Sequence, residues 1–232
     1  TEFSPSLAGM TFTAPLTGQA TIDAGSYFYD IVSMESDSTL DGFRVVTYAT
    51  FGTPVCVRIY GDRVHLSNNR LDNYWNSAYA IYCSGNGGTV EGSTITADRG
   101  AFISGNAPDI RSNKITAAGT SSADYGIQIV DSLTARLNHN EIRGYRNFGG
   151  IYLSGASSAS VANNTLLKNK IGTNAAAVFT GIATIENNII ASEIGGYTDS
   201  GTRGIFRAGG TVFSKYNEIY ANDTNWDGVA SG

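Results

Sequence analysis

The chain has 232 residues, of which 28 are glycine and 15% are charged, with a formal net charge of -5 at pH 7. That length buries one full core, and the composition describes a turn-rich β protein rather than a helical one. The bases are scattered, which argues against nucleic acid as a partner, and no apolar run approaches the roughly 20 residues of a membrane span.

Along the chain one short pattern recurs: apolar, two variable residues, Asn, one variable residue, apolar. An early copy, LDGFRV at Leu40–Val45, precedes LSNNRL at Leu66–Leu71, VEGSTI at Val90–Ile95, IRSNKI at Ile110–Ile115 and LNHNEI at Leu137–Ile142. VANNTL at Val161–Leu166, IENNII at Ile185–Ile190 and the degenerate SKYNEI at Ser214–Ile219 follow. The frame positions Phe43, Asn69, Ser93, Asn113, Asn140, Asn164, Asn188 and Asn217 are 26, 24, 20, 27, 24, 24 and 29 residues apart. Periods in this range signal a solenoid. Between the copies lies a small residue followed by alternating apolar residues, as in AIYCSG (80–85), AFISG (101–105), GIQIV (126–130) and GIYLSG (150–155), which reads as a short strand.

Each unit therefore predicts a strand, a tight turn, and two short strands bent about the Asn. An Asn stacked on its counterparts can both donate and accept, and it tolerates the left-handed conformation that a sharp bend needs. Stacked coils bury continuous columns of Ile, Leu and Val that one coil alone cannot. The expectation is a single all-β domain over 1–232, with 1–20 as lead-in and 223–232 as an exit turn whose abrupt finish points to a larger protein.

The Asn frame, the GIYLSG-type strands, LDGFRV and the late YNEIYAND together resemble the pectin-lyase-like right-handed parallel β-helix superfamily, over roughly residues 20–222. The resemblance implies a right-handed parallel β-helix of eight or nine coils. The Asn ladder then marks the bend between the second and third sheets, and the GIYLSG strands form the first. Members include polysaccharide lyases, hydrolases and epimerases, phage tailspikes and non-catalytic surface proteins. The enzymes usually bind substrate along the outside of the first sheet.

With Ile81, Ile127 and Ile151 pointing inward, the central outward column of that sheet reads Arg58, Tyr82, Phe102, Gln128, Tyr152, Phe179 and Phe206. The preceding column, Cys56, Ala80, Gly100, Gly126, Gly150, Ala177 and Gly204, reads as a bare outer edge. Such an apolar strip suits stacking against sugar rings, a homo-oligomer or fibre interface, or merely a cross-strand ladder under covering loops.

Proton removal beside a uronate carboxylate needs a base and a cation or metal to neutralise that carboxylate. The loops offer Asp72 beside Tyr74 and Trp75, Asp98 with Arg99, Asp124, Arg143 and Arg146 around Tyr145, Lys168 with Lys170, and Glu193. A lyase or epimerase would draw on Arg143, Arg146, Lys168 or Lys170 beside Asp98 and Asp124, with Ca²⁺ as the conceivable cofactor, although solvated loops carry similar charges. The NTD, GHG and RIK set, the DPHD segment, and the vWiDH and RxPxxR segments of the enzyme branches have no match.

Asp223, Asn225, Asp227 and Gly228 spell D-x-N-x-D-G, which reads either as half of a Ca²⁺ loop or as an Asn/Asp-rich exit turn. Cys56 and Cys83 fall about three residues apart along neighbouring coils, too far for a disulfide, and are expected as free, half-buried thiols. His65 and His139 read as surface or edge residues. Asn163 and Asn222 open two glycosylation sequons. The functional expectation is a secreted or surface-displayed solenoid that binds polysaccharide along the aromatic strip, with an acidic-glycan lyase or epimerase and a trimeric or filamentous structural element as alternatives.

Overall fold

The computed structural model describes residues 9–14, 20–25, 30–48, 52–76, 78–119, 123–175, 181–191 and 201–228. Among them every regular element is a strand, and successive strands enter three sheets in rotation. Each sheet holds nine parallel strands, and each strand pairs with those three before and three after it in the chain. That connectivity is a solenoid of stacked three-strand coils. No helix among the described residues is long and apolar enough to cross a membrane.

Three interior columns carry the core. The first sheet contributes Val32, Val57, Ile81, Ala101, Ile127, Ile151, Thr173, Ile205 and Trp226 in register. The second contributes Leu40, Leu66, Val90, Ile110, Leu137, Val161 and Ile185, and the third Val45, Leu71, Ile95, Ile115, Ile142, Leu166 and Ile190, all buried. One apolar residue per strand thus excludes water along the whole axis, the repeat logic of a solenoid.

The Asn ladder stands at the bend between the second and third sheets and uses every predicted frame position. The backbone N–H of Phe43 donates to Asn69 Oδ1 at 2.9 Å, that of Asn69 to Ser93 Oγ at 3.1 Å, and that of Ser93 to Asn113 Oδ1 at 2.9 Å. The row continues through Asn140, Asn164, Asn188 and Asn217. The left-handed residue, however, is not the ladder Asn but the one before it: Asn68, Ser112, His139, Asn163, Asn187 and Tyr216 all have φ between 52° and 57°. Turning the chain one residue earlier leaves the ladder amide free to point inward, where it is buried and hydrogen-bonded.

The column expected as a bare outer edge faces the interior instead. Cys56 and Ala80 are fully buried in the core, and a Cβ on Gly126 would lie 2.3 Å from Ile142 Cγ2 and 3.2 Å from the ring of the fully buried Tyr145. Strict alternation fails here: the register runs from Arg99 with Tyr125 to Ala101 with Ile127, Gly100 and Gly126 are not among the paired residues, and Gly100 and Ala101, like Gly126 and Ile127, are both buried. Only small residues fit beneath the third-sheet isoleucines. Ala177 lies outside the described residues.

Cys56 and Cys83 are free, and both are buried rather than half-buried. Residue 59 pairs with Cys83, which sets Cys56 three positions away along the neighbouring strand.

Candidate site on the outer face of the first sheet

The central outward row is Arg58, Tyr82, Phe102, Gln128 and Tyr152, in register over five consecutive coils and half-buried. Asn174 holds the next level and Phe206 the one after it. Phe179 is therefore not the residue of this row, and it lies outside the described residues. Thr173 stands where other coils place an aliphatic side chain, so the real strand lost its alternating signal while residues 177–180 imitated it.

The inward turn that buries the glycine column sends a second set of side chains outward. Tyr79, Arg99 and Tyr125 share one level of three successive strands, and sequence periodicity missed them because two consecutive inward residues break the alternation. The rings of Tyr79 and Tyr82 meet edge-to-face at 5.5 Å, those of Tyr79 and Phe102 at 5.9 Å. Further along, Tyr152 stacks on Phe148 at 5.0 Å and on Tyr125 at 6.3 Å. The face is thus an aromatic surface two columns wide. Burial pushes the phenols of Tyr125 and Tyr152 above the ordinary tyrosine range, so both stay protonated across physiological pH.

Ring orientation alters what this surface can do. Tyr82 and Phe102 stack with centroids 4.7 Å apart and planes 14° apart, a separation equal to the roughly 4.8 Å step between coils. Their faces cover each other along the axis, and the Arg58 guanidinium covers the other side of Tyr82 at 4.4 Å. What faces outward is a line of ring edges and polar tips, not the flat apolar platform expected for stacking sugars. The Tyr82 and Tyr152 hydroxyls, the Gln128 amide and the Arg58 guanidinium are those tips.

Three of the arginines bordering the face are paired. Arg58 Nε donates to Asp30, Arg99 Nε to Asp124 Oδ2 at 2.6 Å, and Arg203 Nε lies 3.0 Å from Asp227 Oδ2. Arg99 also donates to the Tyr79 hydroxyl at 3.1 Å, and Asn147 Nδ2 donates to Asp124 Oδ1 at 2.8 Å. Asp124, nearly buried, is fully engaged in holding this corner together.

The six candidate catalytic residues do not converge. Asp98 and Asp124 are buried neighbours on successive coils, with the Asp124 N–H bonded to the Asp98 carbonyl at 2.9 Å. Arg146 and Lys170 are exposed at the same corner, linked through backbone hydrogen bonds to Ala123 and Tyr145. Arg143 belongs to the outer face of the third sheet, 3.3 Å from Glu141, and Lys168 lies just past the neighbouring strand of that sheet. Tyr145, read as a loop residue, is in the core with its hydroxyl donated to the Ala97 carbonyl at 3.0 Å. Glu193 lies outside the described residues.

The Asp223–Asp227 stretch is neither a calcium loop nor a turn: Thr224–Asp227 is a strand of the first sheet. A strand spreads its oxygens along its length rather than converging them on one ion. Asp227 pairs with Arg203, Asp223 accepts the N–H groups of Gly201 and Thr202, and Asn225 Oδ1 accepts from Asn222 Nδ2 at 3.1 Å. Among the described residues no three His, Cys, Asp or Glu side chains gather as a metal site.

A family model described as a right-handed beta helix region matches residues 52–206. Neither the curated proteins nor the solved structures contain a match to this chain.

Proposed function

Because the chain belongs to the right-handed β-helix family, and folds as such a solenoid, we propose that it is a polysaccharide-binding module that holds its ligand along the outer face of the first sheet. The observation that carries this reading is the register itself. Arg58, Tyr82, Phe102, Gln128 and Tyr152 stand at one position per coil, all but Phe102 with a polar tip, a periodic array matched to a periodic polymer. Binding is favoured over lyase or epimerase chemistry because the two candidate carboxylates are buried and the candidate bases are divided between the corner and the third sheet. A binder of extended polysaccharide acts where such polymers are, outside the cell or on its surface.

The test is light-scattering chromatography of the protein with a panel of neutral and acidic polysaccharides, with and without a chelator. Co-elution with undegraded polymer is the expected result. A fall in polymer mass would replace binding by catalysis, and no change with any polymer would overturn the reading.

A further inference from the structure

On the outer face of the third sheet, a different face from that of the aromatic row, two arginines share one carboxylate. Asp72 Oδ2 accepts from Arg70 Nε at 2.8 Å and from Arg44 Nε at 3.2 Å. The Asp72 side chain is fully buried, and among the described residues its Oδ1 has no hydrogen-bond partner. A buried carboxylate oxygen left unpaired is costly. Nothing in the sheet demands a carboxylate at this level, since the same position is Val46 one coil earlier and Thr96 one coil later. What Asp72 does is orient two guanidinium groups, 31% and 50% exposed, side by side on adjacent coils.

The surroundings extend this cationic spot. Arg44, Arg70, Thr94 and Lys114 occupy one level of four successive strands, so two arginines and a lysine fall in a row along the axis. Tyr48 and Tyr74 stack beside it at 5.3 Å and 8°, half exposed, and both lie within electrostatic reach of Arg44. Acidic groups on the same part of the face are Asp72, Asp23, whose Oδ1 already accepts the Gly25 N–H at 2.8 Å, and Glu141, which follows Lys114 in the row and lies 3.3 Å from Arg143. Arg44, Arg70, Lys114 and Arg143 thus face three carboxylates, and the Arg44–Arg70 end has two guanidinium groups on the one carboxylate of Asp72.

We propose that Arg44 and Arg70, held by Asp72, form a binding site for an oxyanion, the sulfate or carboxylate group of an acidic polysaccharide or the same group free in solution. Planar guanidinium groups anchored through Nε present their remaining N–H donors in the geometry that such groups accept. The site stands independently of the first-sheet reading, which concerns another face and needs no charge on its ligand.

The experiment is calorimetric titration of the whole chain with dextran sulfate, with unmodified dextran and with inorganic sulfate. It is repeated for the Arg44→Gln/Arg70→Gln double variant, for its Arg44→Lys/Arg70→Lys counterpart, and for Arg111→Gln as a control for scattered surface charge. Dextran sulfate is expected to bind the unmodified chain and Arg111→Gln equally. The Gln pair should bind at least about tenfold more weakly and lose about two from the salt-dependence slope, with the Lys pair intermediate. Binding of inorganic sulfate at the same residues would identify a small-anion site, and binding of the polymer alone a polymer track. Equal affinity of the Gln pair and the unmodified chain, or no binding of either anion, would overturn the proposal. Circular dichroism of each variant separates lost binding from lost fold. Binding of unmodified dextran reports only on the first sheet.

Discussion

Asn140 accepts the backbone N–H of Asn113 through Oδ1 at 3.1 Å and donates Nδ2 to the carbonyl of Ile110 at 2.8 Å, so one side chain fastens two points of the preceding coil. It is fully buried, and water cannot replace either bond. Asn140→Ala should leave both groups unpaired and cost about 2–4 kcal/mol, read as a lower denaturant midpoint with an unchanged slope. A loss under about 0.5 kcal/mol would mean that the ladder is ornamental.

Gly126 marks the closest approach of the first sheet to the third. Gly126→Ala would set a methyl 2.3 Å from Ile142 Cγ2 and 2.6 Å from the Gly150 carbonyl. A destabilisation of about 3 kcal/mol or more is expected in thermal melts, because neither neighbour can withdraw without disturbing its own column. Partial relief by a second change, Ile142→Val, would confirm the source of the strain.

If the first sheet reads its polymer through polar tips, removing hydroxyls should matter more than their small size suggests. Tyr82→Phe and Tyr152→Phe keep the rings and stacks, and each should weaken polysaccharide binding by about 0.5–1.5 kcal/mol, or roughly 2- to 12-fold, with the melting temperature unchanged. Undiminished binding by both variants would return the explanation to ring contacts.

Burial raises the Cys83 thiol from 9.0 to about 11 and carries Cys56 higher still. The folded state thus resists thiolate formation more than the unfolded one. This contribution is fully present below the unfolded value, near 9, and is lost as pH rises toward 11, by about 2–3 kcal/mol for Cys83. Stability should fall over that window, and less so in Cys83→Ala. At pH 8, a thiol reagent should label neither cysteine until the chain is unfolded by denaturant.

The fold was legible because its signal is repeated. Eight frame positions, Phe43 to Asn217, repeat one demand, and each takes its expected place in the ladder. The face of the first sheet was legible only where alternation holds. It placed Arg58 to Tyr152 correctly and failed at Cys56 and Gly126, where two neighbours in a row face inward, and thereby hid Tyr79, Arg99 and Tyr125. It failed again at Thr173, whose hydroxyl lies where an aliphatic side chain was expected. Of the Arg44–Asp72–Arg70 group only Arg70 and Asp72 stand close along the chain; Arg44 joins them across a coil, 28 residues before Asp72, where no local pattern points to it.

Each Asn of the ladder from Asn113 to Asn217 asks the same two favours, one N–H and one carbonyl from the coil before, whatever the loops between them do. A whole coil, such as the 24 residues from one rung at Asn140 to the next at Asn164, is therefore an exchangeable unit. Adding or removing one would move everything beyond it by a single step of about 4.8 Å while leaving each rung satisfied. In that sense the molecule is a ruler: the length of its outer faces is counted in coils, and evolution can change that length without renegotiating the core.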